Sequence, residues 1–251
     1  MIGFAEINYT PEIGLNLEGN YRGDDYALSG VHDSLYARAI VAVGETGEKV
    51  AIVSVDICVL KKDAVDFMRA AIAINTDIQA KNIMITATHT HSGPVSNLNA
   101  PKAKEYLARA ADAVVLANER LKPTVLSVGR SAENRISHNR CLKCKHGTTH
   151  MCWEKFELGF VIEPWGPIDP ELITISVAQE GQPTGVIVNF VCHATTLTGN
   201  NWLYSADYPG SLGEALRKVK GKDYIPMFLN GPCGNVTQVD YLVRFPDTYQ
   251  E

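Results

Sequence analysis

The stretch TATHTHSGP, residues 86–94, sets His89 and His91 two positions apart at the end of an apolar run. A third histidine, His193, closes another apolar run in NFVCHATTL, residues 189–197. Neutral imidazole carries a lone pair near pH 7 and is the commonest metal-ligating side chain. Residues two apart on a strand face the same way, so His89 and His91 could open into one pocket. The residue pattern alone equally accommodates strand-end histidines satisfied by neighbouring polar groups. A Gly-rich loop, GPCGNVTQ at 231–238, follows a third short apolar run.

Such groups need strands to carry them. Residues 49–60, KVAIVSVDICVL, and 82–88, NIMITAT, are β-branched and apolar and read as buried strands. Further strands are expected at about 124–130, 172–179, 184–192 and 226–230, the third and second of these joined by the turn signal QEGQP. Residues 62–75 and 210–220 read as helices. Leu107, Ala110, Val114, Ala117 and Leu121 alternate spacings of three and four, a long amphipathic helix that ends before Pro123. Helices alternating with apolar strands predict an α/β fold, with mixed β-sheets packed between α-helices as a layered sandwich in a single domain. Ligands collect at the carboxyl ends of strands in such sheets, where all three polar signals lie. Residues 131–170 are polar, lack a clear period, and read as a long functional excursion.

A length of 251 residues, 45% of them hydrophobic and 20% charged, suits a globular protein with a sizeable core. The net charge of −5 argues against nucleic acid as a partner. No apolar run reaches the roughly 18 residues of a transmembrane segment. The first residues, MIGFAEINYTPEIG, have neither the basic nor the apolar region of a secretion signal. A signal already removed would leave the same sequence, so the compartment stays open. Cys141, Cys144, His146, His150 and Cys152 have the spacing of a zinc knuckle, or of a polar hairpin turning at Gly147. Cys233 reads as a thiol nucleophile paired with a histidine base or as a small neutral filler of its loop.

Taken in order, GVHDSLYARA (30–39), VSVDIC (53–58), TATHTHSGP (86–94), SHNR (137–140), GPIDPEL (166–172), VCHATTL (191–197), SADYPG (205–210) and NGPCGNVTQ (230–238) form a specific set. The set resembles the N-terminal domain of the neutral/alkaline non-lysosomal ceramidases across essentially the whole chain. The resemblance implies a zinc-dependent amidohydrolase that cleaves the N-acyl amide of ceramide, a lipid-like substrate, into sphingosine and a fatty acid. By motif, it implies that His89 and His193 are metal ligands for Zn2+. His91 would lie beside the ion and bind or polarise the scissile amide, and Arg140 would contact the substrate near the reacting carbonyl. The family's GDVSP loop carries an active-site serine. Here GNVTQ places Thr237 at the serine position and Asn235 at the aspartate position. Threonine keeps the hydroxyl but adds a methyl and stiffens χ1.

Zinc lowers the pKa of bound water from about 15.7 towards about 7, and the oxygen that becomes negative needs donors such as His91 and Arg140. The family completes its zinc site with a glutamate and a tyrosine from well beyond the GDVSP loop. No matching motif follows Thr237 before Glu251. Residues 1–251 are therefore expected to form the catalytic N-terminal domain without the C-terminal part. Apolar surface should lie exposed where that part, or another copy in an oligomer, would pack. Asp56 and Asp207 are acidic residues of the matching motifs that could lie nearby. The alternatives are a non-catalytic domain with an incomplete metal site, and a hydrolase of another amide or ester.

Overall fold

The structure, a computed structural model, describes residues 1–20, 22, 28–197 and 199–242. Strands β1 (Ile2–Asn8), β2 (Gly30–Val31), β3 (Tyr36–Val43) and β4 (Lys49–Val55) come first, then α1 (Lys62–Asn75), β5 (Ile83–Ala87) and α2 (Ala103–Glu119). Next is β6 (Thr124–Ala132), followed by the short strands β7 (His138–Asn139), β8 (Cys141–Cys144), β9 (Thr149–Met151) and β10 (Val161–Pro164). The hairpin β11 (Glu171–Gln179) and β12 (Gln182–Phe190) precedes β13 (Leu203–Tyr204), α3 (Tyr208–Lys220), β14 (Ile225–Asn230) and β15 (Val236–Thr237).

Two mixed four-stranded sheets organise the molecule, one in the order β1-β3-β4-β5 and the other β14-β12-β11-β6. Strand alternation decides what each face buries. In the first sheet Ala37, Ala39, Val41, Val53 and Val55 turn towards α1 and α2, joining Met68, Ile72, Leu107 and Val114. Phe4 and Ile40 point the other way and meet Val177, Ile187 and Met227 of the second sheet. The opposite face of the second sheet, Val186, Val188, Phe190 and Phe228, packs on Leu212 and Leu216 of α3. The result is the expected layered α/β sandwich, with sheets back to back and helices outside. Ser54 Oγ donates to the Phe228 carbonyl at 2.5 Å, a polar tie across the otherwise apolar seam.

Helix α1 begins and ends where its sequence pattern does, and the QEGQP turn is a two-residue hairpin. Glu180 (φ 53°) and Gly181 (φ 75°) both take the left-handed conformation that matches strand twist. Strands β1 and β3 were not legible in the sequence. A Cβ on Gly3 would stand 1.7 Å from the Ala117 carbonyl oxygen, so α2 lies directly on the β1 backbone. Such close approach demands small residues, and Ala37 and Ala39 do not announce a strand. The excursion 131–170 holds four short strands, three of them forming the sheet β10-β8-β9. Edge strand β6 exposes Val125, Leu126 and Val128.

Met227 is fully buried between the sheets. Met227→Ala should cost about 2–5 kcal/mol and lower the urea midpoint without changing the slope. An unchanged midpoint would mean that the seam between the sheets is not packed as described.

Candidate metal centre

Strand β5 of one sheet and strands β12 and β14 of the other end at the same edge of the sandwich. Asn230, the last residue of β14, donates from one amide nitrogen to the carbonyls of Thr88 and Cys192, each at 3.0 Å. His89 and His193 are the next residues along the chain. One side-chain amide thus sets the separation of two histidines drawn from different sheets.

His89 Nδ1 lies 2.7 Å from the Cys58 carbonyl and His193 Nδ1 2.7 Å from the Cys233 carbonyl. A carbonyl oxygen only accepts, so both Nδ1 atoms carry the proton and both Nε2 atoms carry lone pairs. Those two Nε2 atoms face each other at 3.0 Å. His91 Nε2 lies 3.3 Å from that of His89, and its Nδ1 lies 3.1 Å from Asn20 Oδ1. Three lone pairs therefore converge with no donor among them. Nitrogens at about 2.1 Å on a tetrahedral zinc would be about 3.4 Å apart, so the residues present fit such an ion.

Burial lowers the His91 pKa to about 3, helped by the adjoining histidines and by the charges of Arg22 and Arg140. Burial also lowers that of His193, against its hydrogen bond to the Cys233 carbonyl, which favours the charged form. Both rings are neutral at pH 7, the form that ligates.

The expected same-side placement on a strand is not what joins His89 to His91. Strand β5 ends at Ala87, and His89 adopts a left-handed backbone with φ 69°, a conformation that histidine tolerates better than most residues. This turn, not strand alternation, brings the two rings together. Asn20 and Arg22 were not foreseen. Arg22 is buried and donates to the His91 carbonyl at 2.8 Å and to the Asn201 carbonyl at 2.9 Å. A Cβ on Gly19 would lie 2.5 Å from His91 Cγ, so glycine is what lets the backbone pass the ring.

The other motifs interlock around this trio. Thr90 Oγ1 donates to the Ser205 carbonyl at 2.7 Å, Ser205 N to the Ser92 carbonyl at 3.0 Å, and His91 N to the Ala194 carbonyl at 3.2 Å. Asp33 accepts from the Ala206 amide at 2.8 Å and from the Ser205 hydroxyl. The Asp207 carboxylate is taken up by the amides of Thr196, Leu197 and Tyr208. Asp56 is buried against Arg38 Nη1 at 3.0 Å and the Tyr36 amide at 2.8 Å. These three carboxylates brace the scaffold.

Arg140 and Thr237 come from one small unit. Strands β7 and β15 pair with Thr237 opposite His138, and Arg140 N donates to the Asn235 carbonyl at 2.9 Å. Arg140 stacks over Trp153 at 5.3 Å, and its Nε is buried without a hydrogen-bond partner. Thr237 is buried, with its hydroxyl donating to Gln238 Oε1 at 3.2 Å. Cys141, Cys144 and Cys152 form no knuckle. Residues 141–151 make the hairpin β8–β9, Cys144 and Cys152 sit in an apolar cluster with Leu142 and Val239, and Cys141 Sγ faces Met151 Sδ at 3.9 Å. Among the described residues, cysteine joins potential ligand groups at two places, Cys58 with His89 and His91, and Cys233 with His89 and His193.

A family described as "Neutral/alkaline non-lysosomal ceramidase, N-terminal" matches residues 1–225. Neutral ceramidase of Pseudomonas aeruginosa is 26% identical over 232 residues, covering 83% of this chain and 32% of that protein. Neutral ceramidase 1 of Arabidopsis thaliana is 23% identical over 239 residues, covering 84% and 28%. The chain thus spans about a third of the length of these relatives. The crystal structure of neutral ceramidase from Pseudomonas aeruginosa superposes with a TM-score of 0.75 at 21% identity, covering 99% of this chain and 42% of that one. A structure described as "Ceramidase complexed with C2" gives 0.72, also at 21% identity, covering 94% and 38%.

Replacing Asn230 by leucine would strip both strand-end carbonyls of their donor, at about 1–3 kcal/mol. Zinc affinity should fall roughly 10–100-fold in a competition titration, and undiminished affinity would refute the clamp. The low His91 pKa also fixes a pH dependence. Between 6.5 and about 3 the unfolded chain takes up this proton more readily than the folded one. Metal-free protein should therefore hold its stability above pH 6.5 and lose it on acidification. His91→Gln should lose less over that range, and identical urea midpoints for the two proteins throughout would contradict this.

Proposed function

We propose that this chain, which belongs to the neutral/alkaline non-lysosomal ceramidase family, hydrolyses the N-acyl amide of a ceramide-class lipid with zinc held by His89 and His193. Residues 1–251 act in this reading as the catalytic N-terminal domain. The observation that carries it is the pair of unprotonated Nε2 atoms held 3.0 Å apart by carbonyls behind each ring. Two lone pairs at that separation call for a cation between them. Zinc, when bound, supplies a water that ionises near neutral pH and is nucleophilic towards an amide carbonyl.

The chain's own residues provide the rest. His91, with Nδ1 held by Asn20, presents a free Nε2 lone pair that accepts the hydrogen bond of the substrate's amide N–H. Arg140 has an unpartnered Nε, which donates to the carbonyl oxygen as negative charge collects there. The Thr237 hydroxyl, on the strand paired with the segment that carries Arg140, becomes a further donor once it turns from Gln238 Oε1. The buried thiol of Cys233 is raised in pKa by burial, which suits a protonated side chain poorly placed for nucleophilic attack. A domain that binds metal without turnover is the rival reading, favoured by the engagement of Asp56 and Asp207 elsewhere.

Metal-stripped protein dialysed against zinc should hold one ion per chain and release fatty acid from an N-acylsphingosine. His89→Ala and His193→Ala should each lose the ion. His91→Ala should keep it and lose turnover by about 10²–10³-fold, the size of a lost transition-state contact. Zinc retained after His193→Ala would sink the assignment, and zinc without turnover in the unmutated protein would favour the rival.

A further inference from the structure

An arginine stacked on an aromatic ring touches it with the face of the guanidinium, while its five N–H donors point outward along the edge. Among the described residues, three arginines are held in this way. Arg38 and Arg217 lie over Tyr36 at 4.9 and 5.3 Å, and both also spend their edges on carboxylates, Arg38 on Glu6 and Asp56, Arg217 on Glu6 and Glu214. Arg140 differs. It lies over Trp153 at 5.3 Å, its Nε is buried without a partner, and no carboxylate pairs with it among the described residues. Glu154, next to that ring in the chain, is taken up by His150 Nδ1 at 2.6 Å.

We propose that Trp153 is a positioning residue for Arg140, holding the guanidinium by its face so that its edge donors stay free for the oxygen that becomes negative. The inference rests on the reaction proposed above. The backbone sets the two residues in register. Cys152 N donates to the Arg140 carbonyl at 2.8 Å, and Glu154 N to the Met151 carbonyl at 2.9 Å, closing the turn that carries Trp153. Arg140 N donates to the Asn235 carbonyl at 2.9 Å, which ties the pair to the Gly-rich loop beside His193. The charge held there reaches the histidines. Burial depresses the pKa of both His91 and His193, and Arg140 adds to the depression in each. A carboxylate in place of the ring would also fix the arginine, but it would occupy the donors and offset the charge. An aromatic face fixes the group and does neither.

The test replaces the ring by an apolar side chain without a π face. Trp153 is 39% exposed, so its loss opens no cavity in the core. In zinc-loaded protein, Trp153→Leu should lower kcat on an N-acylsphingosine about 3–30-fold, the worth of one cation–π contact, with KM and zinc content unchanged. Trp153→Tyr should restore most of the loss, and Trp153→Leu should add nothing in an Arg140→Met background. Dodecanoate, whose carboxylate carries the charge that the reacting oxygen acquires, gives a readout that needs no turnover. Its calorimetric affinity should fall by a similar factor in Trp153→Leu and show the same dependence on Arg140. Turnover that is unaltered by Trp153→Leu, or lost equally with and without Arg140, would overturn the positioning role and leave the proposed reaction standing. No turnover in the unmutated protein, with dodecanoate binding still dependent on Trp153 through Arg140, would remove the reaction and keep the positioning role. Neither turnover nor such dependence would remove both.

Discussion

The structure is organised around a repulsion that folding imposes. Two imidazole nitrogens with lone pairs do not approach to 3.0 Å unaided. Each ring is pinned from behind by a carbonyl, and Asn230 fixes how far apart the two loops begin. The packing of two sheets supplies the force that holds the rings there, because β5 belongs to one sheet and β12 and β14 to the other. A cation bound at the meeting point would convert that unfavourable contact into an attraction. Fold and site are thus coupled through a single edge of the sandwich.

Family membership fixes the kind of protein, and the local geometry explains why the matching motifs are scattered along the chain. THTHSGP, CHATTL, SADYPG and the segment around Asp33 touch one another through backbone bonds. Asp33 and Asp207 spend their charge on amides of the loops that carry or flank the histidines. An acidic residue in a motif therefore signals loop architecture here as much as chemistry.

Much of this was readable from residue pattern. Helix α1 runs over its expected span, with Ala64, Met68 and Ile72 recurring at fours on its buried side, and β4, β11 and β12 stood out because they are β-branched. Strand β3 escaped because its helix-facing side is partly alanine, the size that contact with α2 allows. Within 131–170 the hairpin turning at Gly147 was one of two readings and is the one the structure holds, whereas β7 and β10 escaped because two to four residues are too few to establish a period. The structure brings His89, His91 and His193 together, but a left-handed turn at His89, not strand alternation, joins the first two. Asn20 and Arg22 act on His91 from about seventy positions away, a relation that no local spacing encodes.

The left-handed backbone at His89 puts two demands on one position. Glycine would relax the main chain there, and asparagine or aspartate would tolerate the conformation, but none of them offers a neutral ring nitrogen. Changes that ease the backbone at residue 89 therefore remove the donor that faces His193. Efforts to make this protein hardier by replacing residues of unfavourable conformation would find a gain in heat resistance at this site and lose the reason for the site to exist.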